Sequence, residues 1–221
     1  AGVQHTDIDG TIEVSGATSA YIVITLGTDY ELSSEIFTSD ADLNQSLRKE
    51  GMSGFNSTKP TFKTNLDDTR EKVEEQLIAI EDLIYDKSFD EGYSTLKNRH
   101  IKDYSELFDR VTLDLDCDPI DLECPTDELL YQYQLGYPSN YLEVLLFQYG
   151  RYMLIASSRE GSLPAHLQGV WNTYNTPPWA CNYTHNINVQ MNYWPAFNTN
   201  LAELFKSYAD YNEAMSGTAQ T

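Results

Sequence analysis

Positive charge is what this chain has least of. Fourteen Lys and Arg stand against 34 Asp and Glu in 221 residues, a formal net charge of -20. Such a field repels phosphate backbones and anionic lipid, which argues against nucleic acid and membrane surfaces as partners. Cysteine is scarce too, and three of them set no disulfide framework. Cys117 and Cys124 bracket the acidic loop DPIDLE and can bridge in an oxidising compartment, leaving Cys181 odd. No CxxC pair or HExxH occurs, and His166 and His185 lack the spacing of a helical metal pair, so no metal site is expected. GxxxxGK, GxGxxG and the GxSxG elbow are also missing, and no cofactor is expected. No apolar run approaches the roughly 18 residues of a membrane span. The chain opens at Ala1 with neither signal sequence nor initiator Met, as expected of a processed chain or a piece of a longer one.

What is present is a globular composition, 41% hydrophobic and 12% aromatic, with one unusual stretch. Residues 163–200 hold all three tryptophans and eight asparagines, and no acidic residue. Flat rings stack on sugar C–H faces and amides supply fixed donors and acceptors, so the stretch suits a neutral polyhydroxylated ligand. A long loop that packs its own aromatics into a core has the same composition.

Elsewhere, periodicity predicts the elements. Residues 11–15 (TIEVS) and 20–26 (AYIVITL), with Gly16 between them, read as an antiparallel hairpin belonging to a larger β-domain. Residues 40–64 read as connector. Val73, Leu77, Ile80 and Ile84 predict one helix, opened by Asp67 and Asp68. Phe89, Tyr93, Leu96, His100, Tyr104 and Phe108 predict a second, with His100 expected as a core histidine rather than a ligand. The acidic loop 114–125 lacks EF-hand spacing. A helical tract opens at Thr126 and breaks at Gly136-Tyr137-Pro138. A helix over 139–157 follows, capped by Ser139, with Leu142, Leu145, Leu146, Tyr149, Tyr152, Met153 and Ala156 as its apolar stripe. A last helix is expected from Asn200, with Glu203 completing a capping box and Leu201, Leu204, Phe205, Tyr208 and Met215 inward.

The tightest polar cluster is Thr184-His185-Asn186-Ile187-Asn188-Val189-Gln190. In an extended backbone, Thr184, Asn186, Asn188 and Gln190 share one side. Two neutral amides are neither acid nor base, but they can orient a water or a sugar hydroxyl while a carboxyl elsewhere moves the proton. Asparagines that satisfy loop backbone give the same pattern.

Several runs then carry a resemblance: Gly150-Arg151-Tyr152, Ser157-Ser158-Arg159, Leu163-Pro164-Ala165, Leu167-Gln168-Gly169-Val170-Trp171-Asn172, Pro177-Pro178-Trp179, and residues 186–196 (NINVQMNYWPA). Together they resemble the glycoside hydrolase family 95 α-L-fucosidases, densely over about residues 126–204. Gly27-Thr28-Asp29-Tyr30 and His100-Ile101-Lys102-Asp103-Tyr104 resemble the family more loosely. The resemblance implies a mainly α fold. Residues 1–40 would be the last strands of a β-sandwich, 41–125 a connector and helical linker, and 126–221 the first helices of an (α/α)6 barrel.

It also implies inverting, exo-acting hydrolysis of terminal α-L-fucosyl or α-L-galactosyl bonds, by an exported bacterial enzyme (secreted, periplasmic or on the cell surface). By position, Asn186 and Asn188 correspond to the two asparagines that activate water with an aspartate, while a glutamic acid protonates the leaving oxygen. Both carboxyls lie downstream of residue 221 in the family pattern, so the chain is expected to be inert alone and to need the rest of the polypeptide. Thr184, His185, Gln190, Trp171 and Trp179 are the candidate sugar contacts. At position 184 the family carries histidine with fucose and threonine with L-galactose. A hydroxyl there can pair with O6 of L-galactose, which fucose lacks. The competing reading is a non-catalytic carbohydrate-binding module that stacks Trp171, Trp179 and Trp194 on sugar.

Overall fold

A computed structural model describes residues 4–6, 12–27, 32, 37, 66–174, 176–185 and 187–219. Among these the chain is mainly helical. Its contacts divide into two compact units: Ala1–Tyr30 with Phe62–His100, and Glu31–Thr61 with Ile101–Thr221. The predicted connector, 40–64, lies outside the described residues.

In the first unit, β1 (Gln4–Thr6) pairs antiparallel with β2 (Ile12–Val14), Gln4 opposite Val14. The expected hairpin partner of residues 11–15 is therefore replaced. Residues 20–26 join no ladder among the described residues, although their alternation is real: Tyr21, Val23 and Thr25 are half-buried, while Ile22, Ile24 and Leu26 are exposed. Helices take the place of a partner strand. The Tyr21 ring stacks on Phe89 at 4.5 Å and its hydroxyl donates to the Phe89 carbonyl. A Cβ on Gly27 would stand 2.7 Å from Val73 Cγ2. Alternation marks the extended backbone but not what covers it.

Helix α1 (Leu66–Ile84) carries Asp67 and Asp68 in its first turn, where the helix dipole favours anions. Val73, Leu77, Ile80 and Ile84 form its half-buried stripe, as the spacing predicts. Helix α2 (Phe89–Phe108) starts from a capping box that the periodicity did not reveal: Ser88 N–H and Oγ–H donate to Glu91 Oε2, and Glu91 N–H returns a bond to Ser88 Oγ. The Ser88 hydroxyl and amide hold the Glu91 carboxyl below its usual range. Residues 97–103 are exposed on every side. His100 is among them, so the expected core histidine is a surface one. Gly92 and Leu107 are buried and Leu96, Tyr104 and Phe108 half-buried, so the predicted stripe is interrupted over residues 97–103.

In the second unit, the acidic loop contains a single-turn helix, α3 (Pro119–Leu122), capped by Asp118. Cys117 and Cys124 on either side are free, as is Cys181. Helix α4 (Thr126–Gln134) ends before Gly136, which takes a φ of +91°. Helix α5 (Asn140–Ser157) begins as expected: Ser139 Oγ accepts from Leu142 N–H at 3.1 Å. Its inward face differs from the predicted stripe. Leu146, Tyr149, Tyr152 and Ala156 point outward, and Leu142, Arg151, Leu154 and Ile155 are buried.

The helix is apolar nearly all round, so periodicity could not choose a face. Arg151 chooses it. Its guanidinium donates to Leu107 O, Phe108 O and Val111 O, at and just past the end of α2, and to Gln148 Oε1. Those carbonyls are the negative end of the α2 dipole, so the buried cation is matched without a carboxylate. Burial still pulls its pKa below the usual guanidinium value.

Beyond α5 come α6 (Asn188–Tyr193), α7 (Pro195–Asn198), a 3-10 turn at Ala202–Phe205, and α8 (Lys206–Ala219). The core gathers Leu107, Leu154, Ile155, Val189, Tyr193, Ala196, Leu201 and Leu204. Asn200 is not the N-cap of the last helix. It sits at φ +57°, a left-handed conformation that asparagine tolerates, and Glu203 pairs with Arg110 instead of reaching back.

Candidate active site

The amide-rich stretch is built on one tyrosine. Tyr193, on α6, is 1% exposed. Its hydroxyl accepts from the Ala165 amide at 2.7 Å and bonds Ser158 Oγ at 2.7 Å and Ser207 Oγ at 3.3 Å. Three separate segments thus meet at one oxygen. Asn192, its neighbour, donates to Ala165 O and His166 O. The loop they hold closes on itself through paired His166 and Gly169 backbone bonds, with Gly169 at φ +67°. His166 Nδ1 accepts from Gln168 N–H, which makes Nε2 the protonated nitrogen of the neutral ring. Burial pulls the His166 pKa below its usual value.

Residues 187–190 turn into a helix rather than continuing the expected extended run. Asn188 opens α6, and Ile187 just before it takes φ +98°. A β-branched residue there costs about 1–3 kcal/mol. The alternation of Ile187 and Val189 therefore does not continue as a strand through Asn188 and Gln190, which belong to α6. Val189 turns into the core (0% exposed), Ile187 is half exposed, and the buried set Val189, Tyr193, Ala196 has helical spacing. That i, i+4, i+7 pattern was the signal available in the sequence.

Hydrogen bonds among the described residues hold this stretch together. Val189 N–H donates to Thr184 O at 3.2 Å, Ile187 N–H donates to Gln190 Oε1 at 3.0 Å, and Gln190 Nε2–H donates to His185 O. The structure thus brings Thr184, His185, Asn188 and Gln190 together. Asn186 lies outside the described residues.

The members of that stretch face different surroundings. Asn188 is exposed and Thr184 is half-buried. The His185 ring stacks with Tyr208 and Tyr211, centroids 6.0 and 5.5 Å away. Its Nδ1–H donates to Tyr183 O, and its Nε2 is buried with no hydrogen-bond partner among the described residues. Trp171 is partly exposed and packs on Gly169, where a Cβ would stand 3.0 Å from Cε3. Trp179 is 77% exposed and begins three successive left-handed residues, Trp179, Ala180 and Cys181, at φ 49°, 54° and 51°. Neither indole makes a ring contact among the described residues.

Amides, a hydroxyl and open aromatic faces can bind and orient neutral hydroxyl-bearing molecules. They cannot move protons, and no carboxyl occurs between residues 163 and 200. A groove of about 300 Å³ elsewhere does hold carboxyls: Asp103, Glu106, Glu160 and Glu203 line it with Arg110, Arg159 and Lys206. Asp103 and Glu203 are engaged in ion pairs with Arg159 and Arg110, and none of the candidate site residues lines it. Among the described residues no three His, Cys, Asp or Glu side chains gather as metal ligands, and no helix is long and apolar enough to cross a membrane.

The profile of the glycosyl hydrolase family 95 catalytic domain matches residues 92–221, more than half the chain and all of this site. The chain belongs to glycosyl hydrolase family 95. It is 35% identical over 208 residues to a protein named Probable alpha-fucosidase A from Aspergillus oryzae, covering 91% of this chain and 24% of that one. Its identity to Probable alpha-fucosidase A of Aspergillus niger is 49% over 114 residues, 51% of this chain and 14% of the relative. With Alpha-L-fucosidase 2 of Arabidopsis thaliana it is 41% over 128 residues, 56% of this chain and 15% of the relative. The family 95 chain therefore spans about a quarter or less of the length of these relatives. They are fungal and plant proteins, unlike the bacterial source expected above.

Proposed function

We propose that this chain is part of an inverting, exo-acting glycoside hydrolase that releases terminal α-L-fucosyl residues, with α-L-galactosyl residues as the alternative substrate. In this reading residues 126–221 begin an (α/α)6 barrel, residues 1–40 end a β-sandwich, and a helical linker joins them. The observation that carries the proposal is Asn188. Its amide is exposed at the start of α6, while Val189 and Tyr193 of the same helix are fixed in the core.

Asn186 and Asn188 hold the attacking water beside the anomeric carbon. A base carboxylate and an acid carboxyl come from parts of the polypeptide outside these 221 residues. They stand about 6.5–9.5 Å apart, which leaves space for the water. Trp171 and Trp179 offer stacking faces, and Thr184 takes part in choosing the sugar.

Asn188→Ala in the complete enzyme tests this. An amide that acts on the water in the transition state gives a kcat loss on the order of 100-fold with KM little changed. A raised KM at unaltered kcat would make Asn188 a plain sugar contact. The ratio of kcat/KM on p-nitrophenyl α-L-fucoside and α-L-galactoside decides the substrate; a large fucose preference ends the L-galactose alternative. The exposure of Trp179 favours a second reading, a binding module: Trp179→Ala would then abolish glycan affinity in a protein with no turnover to lose.

A further inference from the structure

Residue type marks Gln190 as a sugar contact, yet both ends of its amide are engaged with backbone on either side of position 186. The oxygen accepts from Ile187 N–H at 3.0 Å and the nitrogen donates to the His185 carbonyl. Ile187, between the two bonded groups and Asn188, has φ +98°, a conformation that a β-branched residue abandons unless it is held. Other bonds across this stretch are backbone ones, Val189 N–H to Thr184 O and Met191 N–H to Ile187 O. Among the described residues of 184–190, Gln190 is also the only one whose side chain bonds backbone on both sides of position 186.

We infer that Gln190 is a positioning residue: by holding Ile187 N–H and the His185 carbonyl its amide fixes the strained backbone at Ile187 and so sets where Asn188 presents its own amide, without touching the sugar. The inference rests on the reading of Asn188 as a water-orienting group. A carboxamide suits the task because it offers a donor and an acceptor on one rigid plane. Methionine matches the length and offers neither. A carboxylate keeps the acceptor for Ile187 N–H but sets two oxygens against each other at His185. A protonated glutamic acid restores the donor.

The test uses the complete enzyme with Gln190→Met, Gln190→Glu, Asn188→Ala and the Asn188→Ala/Gln190→Met double variant, measuring kcat and KM on p-nitrophenyl α-L-fucoside. Displacing a reactive group by an ångström costs about 100-fold. Gln190→Met is expected to lose kcat on that order with KM within about threefold of the parent, by the same reasoning. The double variant should lose no more than Asn188→Ala alone, because both changes remove one function. Gln190→Glu should regain kcat relative to the parent as pH falls toward the carboxyl pKa of about 4.3, a recovery that also serves if the methionine variant does not fold.

Two results would overturn the clamp: full kcat in Gln190→Met while Asn188→Ala is crippled, or a raised KM at constant kcat, which would return Gln190 to the sugar. Full kcat in Asn188→Ala overturns the water-orienting reading itself, whatever Gln190 does.

Discussion

Removing the Tyr193 hydroxyl takes an acceptor from the buried Ala165 amide and a partner from Ser158 and Ser207. A phenylalanine keeps the ring, which stacks with Tyr208 at 5.1 Å, so packing survives and only polar satisfaction is lost. A stranded buried donor costs about 1–3 kcal/mol. Tyr193→Phe should therefore lower the unfolding midpoint in urea by a corresponding amount, and an unchanged midpoint would show that water replaces the hydroxyl. His166 gives a pH signature of a different origin. Its folded pKa lies below its unfolded value near 6.5 because burial disfavours the cation. Below about pH 6.5 the unfolded chain thus binds more protons, so the contribution of His166 is complete above that pH and is lost as pH falls toward the folded pKa. His166→Gln should flatten this part of a stability–pH curve, measured against the parent between pH 7 and 5.

At the scale of elements, the start of α5 is the clearest test of capping. Ser139 is 5% exposed; its Oγ accepts from Leu142 N–H and donates to Asp121 Oδ2. Ser139→Ala removes both bonds, and an N-cap loss alone costs about 1 kcal/mol. Ser139→Asp keeps the cap acceptor but confronts Asp121 with a like charge, so it should not restore stability as an aspartate cap ordinarily does. Thermal melts of the three proteins give the order.

This cap was legible in the sequence because serine before an apolar period has one common meaning. Other elements carried two meanings. Asn200 fits an N-cap and a left-handed residue equally, and Arg110, some 90 positions away in sequence, engages both Glu203 and the Asn200 carbonyl in the arrangement that is found. Residues 184–190 satisfy a strand alternation and the start of a helix at once. Pro195 hid the helix by dividing it into α6 and α7. On α5 the apolar surplus hid the inward face until Arg151 found the carbonyls at the end of α2. Residue types drew attention to the 184–190 stretch; its turn depends on side-chain to backbone bonds of Gln190 that no periodicity displays.

At the scale of the whole molecule, the second unit presents much apolar surface to water. Leu146 is 67% exposed, Phe197 60%, Trp194 58% and Tyr149 56%. Burying a side chain of this size stabilises by about 1.5–3 kcal/mol, so such residues, in a chain whose matched relatives are several times longer, are candidates for cover by other parts of a larger chain. The charge of -20 opposes self-association through repulsion. Expressed alone, residues 1–221 should therefore bind a dye such as ANS strongly, remain dispersed at low salt, and associate as salt shortens the Debye length to about 8–10 Å. On the proposed mechanism, whose acid and base lie outside these residues, they should also show no turnover of p-nitrophenyl α-L-fucoside. The complete polypeptide should show the reverse on both counts, weak dye binding and turnover. Turnover by the 221-residue chain itself would place acid and base within it, and the charged groove lined by Asp103 and Glu203 would then be the first place to look.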